Sequence, residues 1–245
     1  MKPLRSRLHN AAVRTRVSQV VVEKDYALSY LLGGIAAIFA AVQTATRLLS
    51  AHGSFHIDTE RYLERDPHPG GQDAFIARVK FPWHPEPLCR IKIEITHDEP
   101  VLLAPLRRDL IHGGYEENIT GSMLTYSLTE IVAEKMRALL QSQQKLILRG
   151  WNRPRARDYY DLWRILRDFG PSLDSDALRD LLKRKSAHRG VDYVSLDDFF
   201  TIELQAEAHR HWEGTLRPFV PELPGCAEVL TELKSLLPSF FPDLS

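Results

Sequence analysis

One stretch, Glu130 to Trp163, limits the architectures open to this chain more than any other. Apolar residues at 128, 131, 132, 136, 139 and 140 recur at helical spacing and define one buried stripe. Lys135 lies four residues after Ile131 and four before Leu139, so its ammonium falls inside that stripe and needs a partner. After an arginine-rich turn, Arg157-Asp158-Tyr159-Tyr160-Asp161-Leu162-Trp163 reads as a second helix. Asp158 and Asp161 share one of its faces, and Tyr159, Leu162, Trp163 and Leu166 form the adjoining apolar face. The lysine and the aspartates are therefore expected to meet across two packed helices. Such a group reads either as a structural ion pair or as part of a site.

A chain of 245 residues that is 44% hydrophobic and 26% charged buries a real core, as one large domain or two small ones. Its net charge is zero but unevenly spread. Residues 1 to 22 hold five Lys/Arg and no acid, residues 145 to 189 hold twelve against six acids, and residues 190 to 245 hold three against ten. This asymmetry permits a basic face toward a polyanion, or simply solvated helix faces. Cys89 and Cys226 stand far apart without ligands at metal-binding spacing, which gives neither a zinc site nor a disulfide framework and fits a reducing cytoplasm.

Taken in order, the start carries arginines but no compact apolar segment with a cleavage site, so no signal peptide is expected. Residues 17 to 32 predict a helix with Val17, Val20, Val21, Tyr26, Leu28, Leu31 and Leu32 inward and Glu23-Lys24-Asp25 on the wet side. The 21 residues between Asp25 and Arg47 carry no charge. Their Ala, Gly, Ser, Thr and Gln content and the Gly33-Gly34 break favour a second buried helix over 35 to 50 rather than a membrane span. Loop signals fill 50 to 73.

Alternation in 75–81 and 89–95 predicts an antiparallel strand pair joined by a proline-rich connection, with a third short strand at Val101-Leu102-Leu103. One face of the pair collects Arg78, Lys80, Arg90, Lys92 and Glu94. Glu94 reads as a salt-bridged surface acid or as a strand-borne metal ligand. His112 to Ser122 is a loop whose Gly113-Gly114-Tyr115 lacks the context of a phosphate loop. Beyond Trp163, Arg179, Lys183, Arg184, Lys185 and Arg189 precede a break at Gly190 and suggest phosphate contact. One helix capped by Ser195 is expected to run to Trp212, with His209 and His211 as surface or packing residues, and a last acidic helix follows Cys226. The usual hydrolase, phosphate-loop, dinucleotide and zinc-protease motifs are absent from the sequence.

Four motifs stand in sequence order: Glu23-Lys24-Asp25-Tyr26, Arg90-Ile91-Lys92-Ile93-Glu94-Ile95, Glu134-Lys135 followed by Ala138-Leu139, and Arg157-Asp158 followed by Asp161-Leu162-Trp163. In order and spacing they resemble the AbiEii-type nucleotidyltransferase toxins of bacterial toxin–antitoxin and abortive-infection (phage-defence) systems. The resemblance implies an α+β fold: a small, largely antiparallel nucleotidyltransferase-like sheet with flanking helices over residues 1–120, then a helical part over 121–245. It also implies nucleotide transfer from a nucleoside triphosphate, with magnesium, to RNA such as a tRNA end, and a cognate antitoxin. Carried over, Lys135 and Asp158 become site residues, Asp161 a supporting one and Glu94 the strand-borne acid and metal ligand. Arg153, Arg155, Arg157, Lys183, Arg184 and Lys185 become the nucleic-acid contacts.

The sequence departs from the family pattern at one place. Members carry a Gly-Gly-Thr/Ser turn and then an Asp-x-Asp pair that holds metal ions, whereas Gly33-Gly34 is followed by Ile35 and the next acid is Asp58. Asp58 and Glu60 have the alternate spacing but follow a second helix. Two readings stay open: an active nucleotidyltransferase, or an inactive family remnant that binds RNA or a protein partner.

Overall fold

The computed structural model describes residues 3–32, 38–68, 70–111 and 121–244, with 28–32 and 38–41 as backbone only. The chain is α+β and divides into two compact units: Met1–Glu99 with Leu106–Thr125, and Pro100–Pro105 with Tyr126–Ser245. The Gly33-Gly34 break, the Gly113-Gly114-Tyr115 loop and the side chains of Leu28, Leu31 and Leu32 fall outside the described residues.

The first unit opens with a helix that the sequence reading missed, α1 (Leu4–Thr15). Leu4, Leu8, Ala11 and Ala12 recur at helical spacing and are buried. Helices α2 (Gln19–Leu32) and α3 (Ile38–Leu49) follow. The expected loop from 50 to 73 contains a strand instead, β1 (His56–Arg61). It pairs antiparallel with β2 (Gln72–Lys80), which pairs antiparallel with β3 (Cys89–Thr96), giving the order β1-β2-β3. Its charged residues alternate with only Ile57 and Thr59, too weak a pattern to read without the neighbouring strand. A two-stranded ribbon, β4 (Leu106–Asp109) with β5 (Ser122–Thr125), completes the unit.

Ala77, Val79 and Phe81 point with Cys89 and Ile91 into a core that includes Leu8, Tyr26, Ala45 and Leu49. Burial pushes the Cys89 thiol up to about 12, so it is a packed, unreactive group. Glu23 corrects the sequence reading: it is 2% exposed rather than on the wet side, while Val20 is exposed. Its Oε1 accepts from Trp83 Nε1 at 3.1 Å and Gln19 Nε2 at 2.9 Å, and its Oε2 lies 2.8 Å from His84 Nε2. The buried carboxylate therefore fixes the connection between β2 and β3 to α2.

In the second unit, α4 (Leu128–Arg149) starts at Ser127, whose hydroxyl accepts from Glu130 N. It ends at Gly150, where a φ of 72° lets the N–H return to Leu146 O at 2.9 Å. Helix α5 (Ala156–Phe169) buries Tyr159, Tyr160, Leu162, Trp163 and Leu166, and α6 (Ser175–His188) buries Leu178, Leu181 and Leu182. The single helix expected from Ser195 to Trp212 is two elements. A short 3-10 turn, Leu196–Phe199, carries a Ser195–Asp198 capping box, and α7 (Ile202–Leu216) restarts with Thr201 as its own cap. Asp198 spends its carboxylate on the backbone N–H groups of Val194 and Ser195, and Tyr159 donates to Phe199 O at 2.5 Å, which pins the break. Helix α8 (Cys226–Leu236) closes the bundle, with Trp163 Nε1 donating to Glu232 Oε2 at 2.8 Å. His209 is exposed and His211 lies 3.5 Å from Glu207, as surface residues.

The short strand expected at Val101-Leu102-Leu103 does not form. Leu102 and Leu103 give their backbone N–H groups to Glu130 Oε1 and Oε2, at 3.2 and 3.1 Å, so these donors are lost to a ladder. Replacing Glu23 by Ala should leave the Trp83, His84 and Gln19 partners without their carboxylate. Chemical denaturation should then show a loss of about 3 kcal/mol in unfolding free energy.

Candidate active site

Helix α4 places Lys135 opposite the first turns of α5. Its Nζ lies 2.9 Å from Asp158 Oδ1 and 2.7 Å from Asp161 Oδ2. The second oxygen of Asp158 accepts from Arg155 Nη1 at 3.1 Å. Two cations and two carboxylates thus form a neutral chain, Arg155–Asp158–Lys135–Asp161. The helical spacing of the aspartates directs both to one lysine, while Tyr159 and Leu162, on the adjoining face, go to the core. The cluster is half-buried rather than sealed, with side-chain exposures of 19% for Lys135, 16% for Asp158 and 35% for Asp161. Burial pulls the Lys135 ammonium toward neutrality, but the charges of Asp158 and Asp161 outweigh it and hold the lysine above its ordinary value.

The arginine turn leads into this cluster. Arg153 and Arg155 are half-buried, and Arg157 is exposed with its guanidinium 5.1 Å from the Phe219 ring centre. Arg149 stacks on Trp151 at 3.9 Å. On α6, Lys183 and Arg184 are exposed, the latter 3.3 Å from Asp180.

Lys185 does not join them, which corrects its place among the nucleic-acid contacts. It is 2% exposed, with Nζ 2.9 Å from Glu130 Oε1, 3.4 Å from Glu134 Oε2 and 2.8 Å from Pro100 O. Glu134 also pairs with Arg137, which donates to Gln141 Oε1 at 2.7 Å. In the run Lys183-Arg184-Lys185, three consecutive helix positions point in different directions, and the third faces α4. The sequence signal for its partner was Glu130, an acid one turn before Glu134 on the same helix.

Glu94 lies in the first unit, on β3, and is exposed. It accepts from Gln72 Nε2 at 3.2 Å and lies 3.2 Å from Lys92 Nζ. Asp58 and Glu60 share one face of β1, Asp58 3.0 Å from His56 Nε2 and Glu60 2.5 Å from Arg78. Strand β2 separates Glu60, opposite Ile76, from Glu94, opposite Ala74, placing their backbones two strand spacings apart and two residues out of register, roughly 12 Å. Among the described residues no group of three or more His, Cys, Asp or Glu is arranged to hold a metal ion. These acids, Glu60 and Glu94 each beside a cation and Asp58 beside the His56 ring, do not fit a two-metal magnesium site. No helix among the described residues is long and apolar enough to cross a membrane.

A family profile described as nucleotidyl transferase AbiEii toxin, Type IV toxin–antitoxin system, matches residues 28–240. No match was found among curated proteins. With most of its length matched, the chain belongs to the AbiEii nucleotidyl transferase toxin family. That family generally uses a nucleoside triphosphate and a divalent metal.

Two substitutions separate the lysines. Because the folded-state value of Lys135 is raised, the stability it contributes is complete below the ordinary lysine value of 10.5 and is lost as pH rises through the folded value. The denaturation free energy of wild type minus Lys135→Met should therefore be constant from neutral pH to near that value and fall above it. Lys185→Ala strands the buried Glu130 carboxylate and should cost about 3–5 kcal/mol, read by the same denaturation measurement.

Proposed function

We propose that this protein is a nucleotidyltransferase toxin that moves a nucleotide from a nucleoside triphosphate to an RNA acceptor, a tRNA end being the expected kind. The observation that carries the reading is the half-open Arg155–Asp158–Lys135–Asp161 chain. In the reaction an acceptor hydroxyl oxygen bonds to the α-phosphorus, the bond to the bridging oxygen of the β-phosphate breaks, and pyrophosphate leaves. The hydroxyl proton is released. What this chain supplies is a fixed positive charge. Lys135 stays protonated, is aimed by two carboxylates, and can exchange the more exposed one, Asp161, for a phosphate oxygen. Asp158 keeps the lysine and Arg155 in register during that exchange. Arg153 in the turn, Arg157 in the first turn of α5, and Lys183 and Arg184 on α6 are the cations offered to the RNA backbone. A toxin of this family also has a cognate antitoxin as its expected partner.

A second reading is a member without transfer activity that binds RNA or another protein. The observation favouring it is the engagement of Glu94 with Lys92 and Gln72, and of Glu60 with Arg78, in place of a carboxylate cluster. Incubation of the full chain with labelled nucleoside triphosphates, magnesium and total tRNA discriminates the two. Transfer by wild type, reduced by at least about a hundredfold in Lys135→Ala and Asp158→Ala, is the expected outcome. Absence of label with all four nucleotides, alongside salt-sensitive tRNA binding, would establish the second reading.

A further inference from the structure

The outward face of the β1-β2-β3 sheet breaks a rule of strand pairing. Arg78 and Arg90 stand directly opposite each other in the β2–β3 register. Like charges at that position repel and destabilise the pair. Lys80, two residues further along β2, points to the same face, so three long cations gather at one end of the sheet. Two acids share that end of the face: Asp58, which stands directly opposite Arg78 on β1, and Glu60. Glu60 pairs with Arg78 and Lys92 with Glu64 and Glu94, while Asp58 lies 3.0 Å from His56 Nε2. Among the described residues, neither Lys80 nor Arg90 has a carboxylate within ion-pair distance.

An aromatic ring lies beside these cations. The backbone N–H of Tyr62 continues the β1–β2 ladder to Ala74 O at 2.8 Å, which puts its side chain on the same outward face. The Arg90 guanidinium is 5.7 Å and the Lys92 ammonium 5.2 Å from its ring centre. The opposite face of the sheet is committed to the core through Ala77, Val79, Cys89 and Ile91. Ala74 and Ile76, further along the outward face, are buried, so its open part is the end that holds Arg78, Lys80 and Arg90, where an anion supplies the partner that Lys80 and Arg90 lack.

We propose that this face binds the phosphodiester backbone of single-stranded RNA, with Lys80 and Arg90 on phosphates, Arg78 beside them and Tyr62 as a stacking surface for a base. A sheet face with cations at one end and a half-buried ring beside them recognises backbone and base faces without reading sequence. This surface extends the RNA-acceptor reading above and rests on it, but it uses none of the residues of the Lys135 cluster.

The test is fluorescence anisotropy of the full chain with a labelled, mixed-sequence single-stranded RNA across a salt series. Lys80→Gln with Arg90→Gln should weaken binding at least about tenfold and reduce the slope of log affinity against log salt by about 1.4, the loss of two phosphate contacts. Tyr62→Ala should weaken it by about tenfold with the slope unchanged. Arg90→Gln alone should also raise the thermal unfolding midpoint, because the repulsion with Arg78 is gone, so loss of binding is not loss of fold. Excess ATP should leave the RNA bound; displacement by ATP at equal phosphate concentration would assign the face to a triphosphate tail and overturn the RNA assignment. Unchanged binding in the double variant, with weakening by Arg153→Gln and Arg157→Gln instead, would reject this face while leaving the RNA reading intact. No binding by wild type would reject both. RNA binding that the double variant loses, without nucleotide transfer by wild type, would sustain the surface and refute the transfer.

Discussion

The second unit is held together by a lysine that water cannot reach. Lys185 and Glu130 are 2% and 1% exposed, and at 2.9 Å each is the other's compensation for lost hydration. The pair does more than join α6 to α4. The oxygens of Glu130 take the backbone donors of Leu102 and Leu103, and Lys185 donates to the carbonyl of Pro100, so the strap Pro100–Pro105 is held at its start and its middle. That strap and Tyr126, which precedes the α4 cap, flank the chain segment that belongs to the first unit. A residue in a basic run, with its Glu130 partner, thus decides how a loop lies on a helix.

The first unit uses the same physics with the opposite charge. Glu23, 2% exposed, is surrounded by donors from Gln19, Trp83 and His84. In both units buried charge is satisfied in part by groups distant in sequence, which rewards only the native arrangement. Lys135 differs from Lys185 in one respect that matters for chemistry. Both touch two carboxylates, but Lys135 and Asp161 keep solvent access, so exchange of a carboxylate for a ligand oxygen does not require opening the core. The sealed pair holds the bundle, and the half-open cluster is the candidate site.

Much of this was legible in the chain. The stripe at 128, 132, 136 and 139 gave α4, the spacing of Asp158 and Asp161 gave their common face, and Lys135 inside an apolar stripe required the contact that is found. Alternation gave β2 and β3. The motif order gave the family, which the profile match bears out. Other features escaped because their cause lies elsewhere in the chain. Strand β1 is charged and short and exists because β2 pairs with it. Helix α7 is separated from the preceding turn by Thr201, a cap whose role is visible only once the chain bends at Phe200.

By itself, then, the sequence determined periodicity: which residues share a helix face or a strand face, and hence that Lys135 and the two aspartates belong together. Tertiary structure decided which face is inside. Glu23 and Lys185 occupy positions that helical geometry alone assigns to a side, not to an environment, and only packing against the β2–β3 connection or against α4 and its strap buries them. The physical reason is that periodicity is local, set by 3.6 residues per turn or two per pleat, while desolvation depends on what another part of the chain brings to that face.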